Sequence, residues 1–453
     1  MIHNSELFDL VLSGGTVWMP GGPVLTDIGI RDGRIAAFGS LGTRGERIVD
    51  LDGLTVLPGV IDSQVHFREP GLEHKEDLET GTRAAVLGGV TSVFEMPNTQ
   101  PGTVSAEDLA DKLFRAVGRS WCDHAFYIGA TAGNLQDLAE LERIPGCAGI
   151  KVFMGSSTGS LLVADDNTLA DVLSQGYRRI AVHCEDEERL KERRGIVGGG
   201  ADVAMHPAWR DEETALLATT RLLKLARRAR RLVHVLHVTT AAEMQLLATC
   251  RDFATVEVTP QHLMFAGPGD YERLGTRLQM NPPIRDAAHR EALWQAVSDG
   301  VVDVIGSDHA PHTLEEKARP YPDSPSGMTG VQTLVPVMLT HVASGRLSLA
   351  RFVDLTSAGP ARVFGIAGKG RIALGYDADL TIVDLKQRWT ISDSWIASRC
   401  GWTPFDGFHA AGRPVHTVVR GAFAMRDTMV SGIPAGIPVR FCGVPARSSV
   451  PVA

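Results

Sequence analysis

The chain has 453 residues, 44% hydrophobic and 6% aromatic, which is enough apolar material for more than one small core. Its 45 basic and 53 acidic side chains leave a net charge of −8, and without a basic stripe the composition argues against a nucleic-acid partner. Six cysteines without a C-x-x-C pair point to neither a zinc ribbon nor a disulfide framework; with no signal pattern in Met1 to Leu10 and no membrane-length apolar run, they fit a cytoplasmic protein.

From Leu7 to Val56 apolar and polar residues alternate around glycine turns such as Ser13-Gly14-Gly15 and Arg31-Asp32-Gly33, the grammar of β-hairpins. Eight runs rich in Val and Ile follow: Leu57 to His66, Thr91 to Glu95, His124 to Gly129, Ala148 to Met154, Arg179 to Cys184, Leu232 to Val238, Thr255 to Val258 and Val301 to Ser307. Continuous apolar runs of this length read as strands buried on both faces, as in a parallel sheet. Helix-period segments lie between them, among them Lys75 to Leu87, Ala106 to Val117, Thr214 to Arg230, Ala241 to Thr249 and Arg285 to Ser298. The alternation predicts an α/β fold with a closed (β/α)8 barrel, whose catalytic groups project from the carboxyl ends of the strands. Hairpin texture returns after Gly368, in Arg371 to Asp384 and Pro414 to Val430. The two ends of the chain are therefore expected to form one small β-sandwich, residues 1–56 and 369–431, with the barrel of residues 57–368 inserted between its halves. From Gly432 the chain is rich in Pro, Ser and Gly, and with little to bury it predicts an extended or mobile tail over residues 432–453.

Five metal-capable residues, His66, Lys151, His183, His237 and Asp308, sit at the carboxyl ends of separate runs, so the barrel brings them to one rim. In Asp62-Ser63-Gln64-Val65-His66-Phe67-Arg68, period two puts Gln64, His66 and Arg68 on one strand face. Imidazoles suit a divalent transition metal such as zinc, and three at matching strand ends weigh far more than any one alone. An ammonium ion repels a metal, but burial can lower a lysine pKa until it reacts as a neutral amine. Lys151, if it captures carbon dioxide, becomes an N6-carboxylysine, an anionic ligand able to bridge two ions; a buried pairing with an acid is the competing role. The Met154-Gly155-Ser156-Ser157-Thr158-Gly159 loop that follows favours the carbamate. Asp308, in Gly306-Ser307-Asp308-His309-Ala310-Pro311-His312, can ligate a metal and carry a proton to a leaving nitrogen, or cap a turn.

The strings His66-Phe67-Arg68-Glu69-Pro70-Gly71, Met96-Pro97-Asn98-Thr99, Asn281-Pro282-Pro283-Ile284-Arg285 and Asp308-His309-Ala310-Pro311-His312 resemble those of dihydroorotases within the cyclic amidohydrolases. The likeness continues through Lys75-Glu76-Asp77, Gly370-Arg371-Ile372 and Gly401-Trp402-Thr403-Pro404-Phe405, and so covers nearly the whole chain. It implies a metal-activated hydroxide attacking a ring amide in the interconversion of N-carbamoyl-L-aspartate and dihydroorotate, a step of pyrimidine biosynthesis. One or two zinc ions are implied, one held by His66, Asp308 and carboxylated Lys151, the other by the same Lys151 with His183 and His237, while Asp308 shuttles the proton. Arg68 is suited to a bidentate contact with the substrate carboxylate, with Asn98 sharing that task; a salt bridge to Glu69 or Glu73 is the competing role of Arg68, and turn geometry that of Asn98. His312 and Asn281 resemble further substrate contacts of the family. The likeness also implies a homo-oligomer.

Two positions depart from the pattern. Gln64 stands where most dihydroorotases have the first histidine of H-x-H, and its carbonyl oxygen is at best a weak ligand. In Val256-Glu257-Val258-Thr259-Pro260-Gln261-His262, Gln261 leaves one imidazole where many relatives have a pair. Besides a dihydroorotase, two readings stand: a hydantoinase-, dihydropyrimidinase- or allantoinase-type enzyme, from which Arg68 argues away, and a metal-poor structural partner of aspartate transcarbamoylase, from which the retained Lys151, His183, His237 and Asp308 argue away.

Overall fold

The computed structural model describes residues 7–156 and 161–443. At its centre eight parallel strands, β1 (Val60–Val65), β2 (Val90–Glu95), β3 (Asp123–Gly129), β4 (Cys147–Phe153), β5 (Ile180–His183), β6 (Val233–Val235), β7 (Ala254–Val258) and β8 (Val304–Ile305), pair in chain order. The ring closes where Val65 bridges His309 and the His66 N–H donates to the His309 carbonyl at 2.7 Å. Every strand residue except Thr255 is buried. Two covered faces explain why the sequence shows apolar runs here and no alternation.

The intervening helices start on side-chain caps. Asp77 precedes Leu78–Leu87, Ser105 precedes Ala106–Ala116, Asp211 precedes Glu212–Ala229, Thr240 precedes Ala241–Ala248 and Asp286 precedes Ala287–Ser298, each accepting an N–H from the first turn. Two more helices, Asp166–Ser174 and Leu334–Ala343, fall outside the segments expected to be helical. The second is buried on nearly every side, with Leu334 to Leu339 all enclosed, so it carries no polar face to mark its period.

The run Leu57 to His66 is two strands rather than one. Thr55–Pro58 pairs antiparallel with Leu380–Thr390, and the chain crosses into the barrel at Gly59, where a Cβ would stand 2.3 Å from Thr91 Oγ1 and 2.8 Å from the Asp379 Cβ. That antiparallel pairing joins the two ends of the chain in a seven-stranded sheet, ordered Met429–Val430, Ala422–Arg426, His409–Val419, Leu380–Thr390, Thr55–Pro58, Thr16–Met19 and Gly22–Leu25. A four-stranded sheet of Arg34–Gly39, Asp27–Arg31, Leu10–Ser13 and Ile48–Asp50 completes the sandwich. Leu12, Ile28 and Ile30 share one apolar cluster with Val56, Leu380, Ile382 and Val418. The long strands of the second half run further than their texture indicates, because a register shift between Asp384 and Arg388 breaks the alternation.

The segment after Gly432 departs from expectation in being anchored to the barrel, although among its described residues only Val439 is buried. Its backbone pairs with β3, His124 N–H donating to the Ile437 carbonyl at 3.1 Å and Val439 N–H to the His124 carbonyl at 2.8 Å. Val439 is 2% exposed, and Phe441 meets Phe94 edge to face, 5.6 Å between centroids. Residues 444–453 of the expected tail lie outside the described residues. No helix among the described residues is long and apolar enough to cross a membrane.

Candidate active site

Each of the six residues singled out at the strand ends is positioned by its own element. Gln64 lies in β1 with His66 just beyond it, Lys151 lies in β4, and His183 ends β5. His237 follows β6 by two residues and Asp308 follows β8 by three. All six line one cavity of about 20 Å³, space for a single water-sized occupant, and Asn281 joins them. Asn281 and Ser326 also border a neighbouring cavity of about 460 Å³, which Arg194, Arg210 and Gln279 help to wall. Ser157, Thr158 and Gly159, of the loop after β4, lie outside the described residues.

Backbone strain concentrates here. Among the described residues eight non-glycine positions have positive φ, and three are Arg68 (+67°), His237 (+36°) and Asp308 (+44°). Such conformations cost on the order of 1–3 kcal/mol each and persist where the surroundings impose them, typically at sites that do chemistry.

Burial sets the charge state of the rim. Desolvation pushes the imidazoles of His66, His183 and His237 below the usual histidine range, so their lone pairs are available as ligands. The same effect brings Lys151 down to about 7, and its Nζ has no hydrogen-bond partner among the described residues. His183 Nδ1 and His237 Nε2 are 3.0 Å apart. Two imidazole nitrogens sharing a tetrahedral zinc stand about 3.3 Å apart, so the pair is spaced for one ion. His237 Nδ1 and Gln64 Oε1 are likewise buried without partners. A set of neutral imidazoles, an unpaired amine and a carboxylate, with three orphaned polar atoms among them, fits a transition-metal centre. Among the described residues no three His, Cys, Asp or Glu side chains form a metal-holding group by themselves.

Sequence reasoning missed Glu185 and Arg210, which hold His183 in place, and gave Asn98 a different role. Glu185 Oε2 accepts from His183 Nε2 at 2.8 Å and from Arg210 at 2.8 Å. Burial would raise this carboxyl, but Arg210 and His183 outweigh it and hold it at about 2. With Nε2 protonated toward Glu185, His183 turns its Nδ1 lone pair to the cavity, where His237 Nε2 faces it at 3.0 Å. Asn98 stands 2.7 Å from His66 Nδ1 through its Oδ1, where it orients that ring. His66 Nε2 then faces Asp308 Oδ1 at 3.2 Å.

Arg68 is 1% exposed and makes no salt bridge to Glu69 or Glu73; Glu69 is taken by Arg119 at 2.6 Å and Glu73 stands 3.9 Å from Arg115. Its Nε donates to the Pro311 carbonyl at 3.2 Å and its Nη1 has no partner. Lys75 Nζ, purely a donor, lies 3.1 Å from His312 Nδ1, so His312 carries its proton on Nε2 and donates it to the Ser326 carbonyl at 3.0 Å. Arg68 Nη2, 3.3 Å from that same Nε2, therefore finds no acceptor there. Burial, with Arg68 and Lys75 nearby, holds His312 neutral, at about 3. Both nitrogens of His312 are thus engaged by the protein itself. Asn281 Oδ1 accepts from His206 Nε2 at 2.9 Å. Gln261 donates to the Ser307 carbonyl at 2.8 Å, and His262 is held by Thr259 at 2.8 Å and Pro282 at 3.0 Å, away from the cavity.

Residues 55–424 match the Amidohydrolase family. The chain belongs to that family. Among curated relatives, the dihydroorotase of Halobacterium salinarum is 38% identical over 427 residues, 93% of this chain and 97% of the relative. That of Methanothermobacter thermautotrophicus is 34% identical, covering 93% and 95%. Among solved structures, an L-hydantoinase (dihydropyrimidinase) from Arthrobacter aurescens superposes with a TM-score of 0.90 at 30% identity, covering 96% of this chain and all of that one. As an amidohydrolase the chain is a hydrolytic enzyme of the cyclic-amide class, with the metal dependence general to that family.

Proposed function

We propose that this amidohydrolase interconverts N-carbamoyl-L-aspartate and dihydroorotate. The observation that carries this reading is the buried Arg68 guanidinium two positions beyond His66, whose Nη1 has no partner among the described residues and whose Nη2 meets only a ring nitrogen of His312, at 3.3 Å. A carboxylate on the ring is the ligand that satisfies a planar pair of cationic N–H groups. Lys151 as N6-carboxylysine, His183 and His237 would hold zinc, with His66 and Asp308 on the facing wall. Carboxylation is available to Lys151 because its amine is substantially neutral near pH 7; the nitrogen bonds to carbon dioxide and releases a proton. When bound, zinc lowers the pKa of water and polarises a carbonyl. Asp308 accepts the proton of the attacking water and returns it to the ring nitrogen as the amide bond breaks. Glu185 and Asn98 keep His183 and His66 in their working tautomers.

In this reading residues 1–56 and 369–431 are a supporting domain and residues 57–368 the barrel domain that carries the site; the enzyme is a cytoplasmic homo-oligomer. A purely structural role beside aspartate transcarbamoylase gives no reason to bury an unpaired amine and guanidinium. Hydantoinase activity is the second reading, favoured by the structural neighbour. A panel of dihydroorotate, carbamoyl-aspartate, dihydrouracil, hydantoin and allantoin, run with defined metals, separates them. Turnover confined to the first two is expected, and preference for an uncharged ring overturns the assignment.

A further inference from the structure

The two walls of the small cavity are not equivalent. On one, Lys151 Nζ is without a partner and His183 Nδ1 and His237 Nε2 converge at 3.0 Å. On the other, Gln64 Nε2 donates to Asp308 Oδ1 at 3.0 Å, and His66 Nε2 stands 3.2 Å from the same oxygen. With Asn98 Oδ1 2.7 Å from His66 Nδ1, that ring donates to Asn98 and turns its Nε2 lone pair to the carboxylate. Two acceptors facing one another at 3.2 Å repel unless a donor or a cation stands beside them. The chain itself supplies one, the Gln64 amide N–H. The reverse orientation of that amide would set Oε1 against Asp308 Oδ1 and stack three acceptors together, so the N–H is held toward the carboxylate.

We propose that Gln64 makes this a one-ion centre, its amide standing against Asp308 where a second cation would otherwise be required. The ion belongs to the Lys151, His183 and His237 wall. Gln64 keeps Asp308 hydrogen-bonded and in place opposite it, without a metal of its own. This inference rests on the metal reading above and adds the count and its cause.

The test is titration of chelator-stripped full-length protein with Co²⁺ in bicarbonate buffer, followed by d–d absorbance and by metal analysis after desalting. Wild type should retain one equivalent per chain. Gln64→His adds an imidazole and Gln64→Glu sets a second carboxylate against Asp308, and each should create a second site whose affinity exceeds the wild-type residual binding by about 10- to 100-fold. Two tight equivalents in wild type overturn the proposal and leave the metal reading intact. One equivalent in wild type and in both variants overturns the role given to Gln64. No retained metal in any of the three overturns the metal reading itself, and the count with it.

Discussion

Both ends of the barrel bury a lysine, and the two lysines live in opposite circumstances. Beneath the barrel Lys369 meets Asp123 at 2.7 Å, Asp377 at 3.5 Å and Asp379, while Arg420 also pairs with Asp123 and Arg440 with Asp377 at 2.8 Å. This network ties the sandwich and the chain after Gly432 to the start of β3. At the rim Lys151 is equally buried and its Nζ has no hydrogen-bond partner among the described residues, and Arg68 and His237 nearby also keep nitrogens without one. Burial alone therefore does not mark a functional group. A buried charge with every partner present is architecture; one left without partners is tolerated only where a ligand completes it.

The largest effect expected is on chemistry at the rim. Asp308→Asn should lower kcat about 10²- to 10⁴-fold by removing the proton carrier, with an unchanged thermal midpoint. Full turnover by that variant would remove Asp308 from its assigned role. Next in size is a paired test of the two lysines. Lys369→Met leaves three carboxylates around an apolar side chain and should cost about 3–5 kcal/mol in stability. Lys151→Met should leave the chelated protein as stable as wild type or more so, since it removes a buried amine with no partner, yet it should abolish metal retention. Equal destabilisation by the two substitutions, read from denaturant midpoints, would dissolve the contrast.

How far these circumstances can be read from sequence depends on the distance over which they are determined. The eight barrel strands are legible because burial on both faces writes a local run of Val and Ile, and the metal-capable residues are legible because each ends such a run. Arg210, which fixes Glu185 and through it His183, lies 25 residues from its partner on a different element, and nothing local announces it. The contact of Gln64 with Asp308 spans 244 positions. His312 reads as a substrate contact until Lys75 and Ser326 are seen to occupy its two nitrogens. The helix Leu334–Ala343 has no polar face, so its period is invisible, and the bulge near Asp384 erases the alternation of a strand that is otherwise regular.

Arg68 sharpens the contrast at the level of substrate. Its Nη1 is buried without a partner among the described residues, so that partner is expected to arrive with the substrate. Loss of a charge-assisted contact costs about 1.5–3 kcal/mol, so Arg68→Met should reduce kcat/KM for dihydroorotate about 10- to 150-fold. Any residual turnover of dihydrouracil should be untouched. Equal losses on both rings would show that the guanidinium supports the rim instead of reading a carboxylate.

The smallest effect expected comes from the barrel interior between the two ends, where Asp62 and Glu257 are buried acids. Burial is the main cause raising Asp62 to about 7 and Glu257 to about 8, against hydrogen bonds from Ser307 and Ser63 respectively. Because these values exceed those of an unfolded chain, about 4 for either acid, the folded state keeps its protons where the unfolded state has lost them. The stability they contribute is complete below about pH 4 and is lost as pH rises through 7 to 8. Lys151 acts with the opposite sign and only above about 7, where its depressed folded value makes the native state gain stability with pH. Between pH 5 and 7 buried histidines such as His312, held below the usual range, act with the opposite sign to the acids, so the share of one acid is read as the difference between wild type and a variant that cannot titrate there. Glu257→Gln retains an acceptor for the Ser63 hydroxyl and cannot titrate, so its melting temperature should fall by a few degrees less than that of wild type over this range. Parallel curves for the two proteins would place the ionisation of Glu257 outside the window.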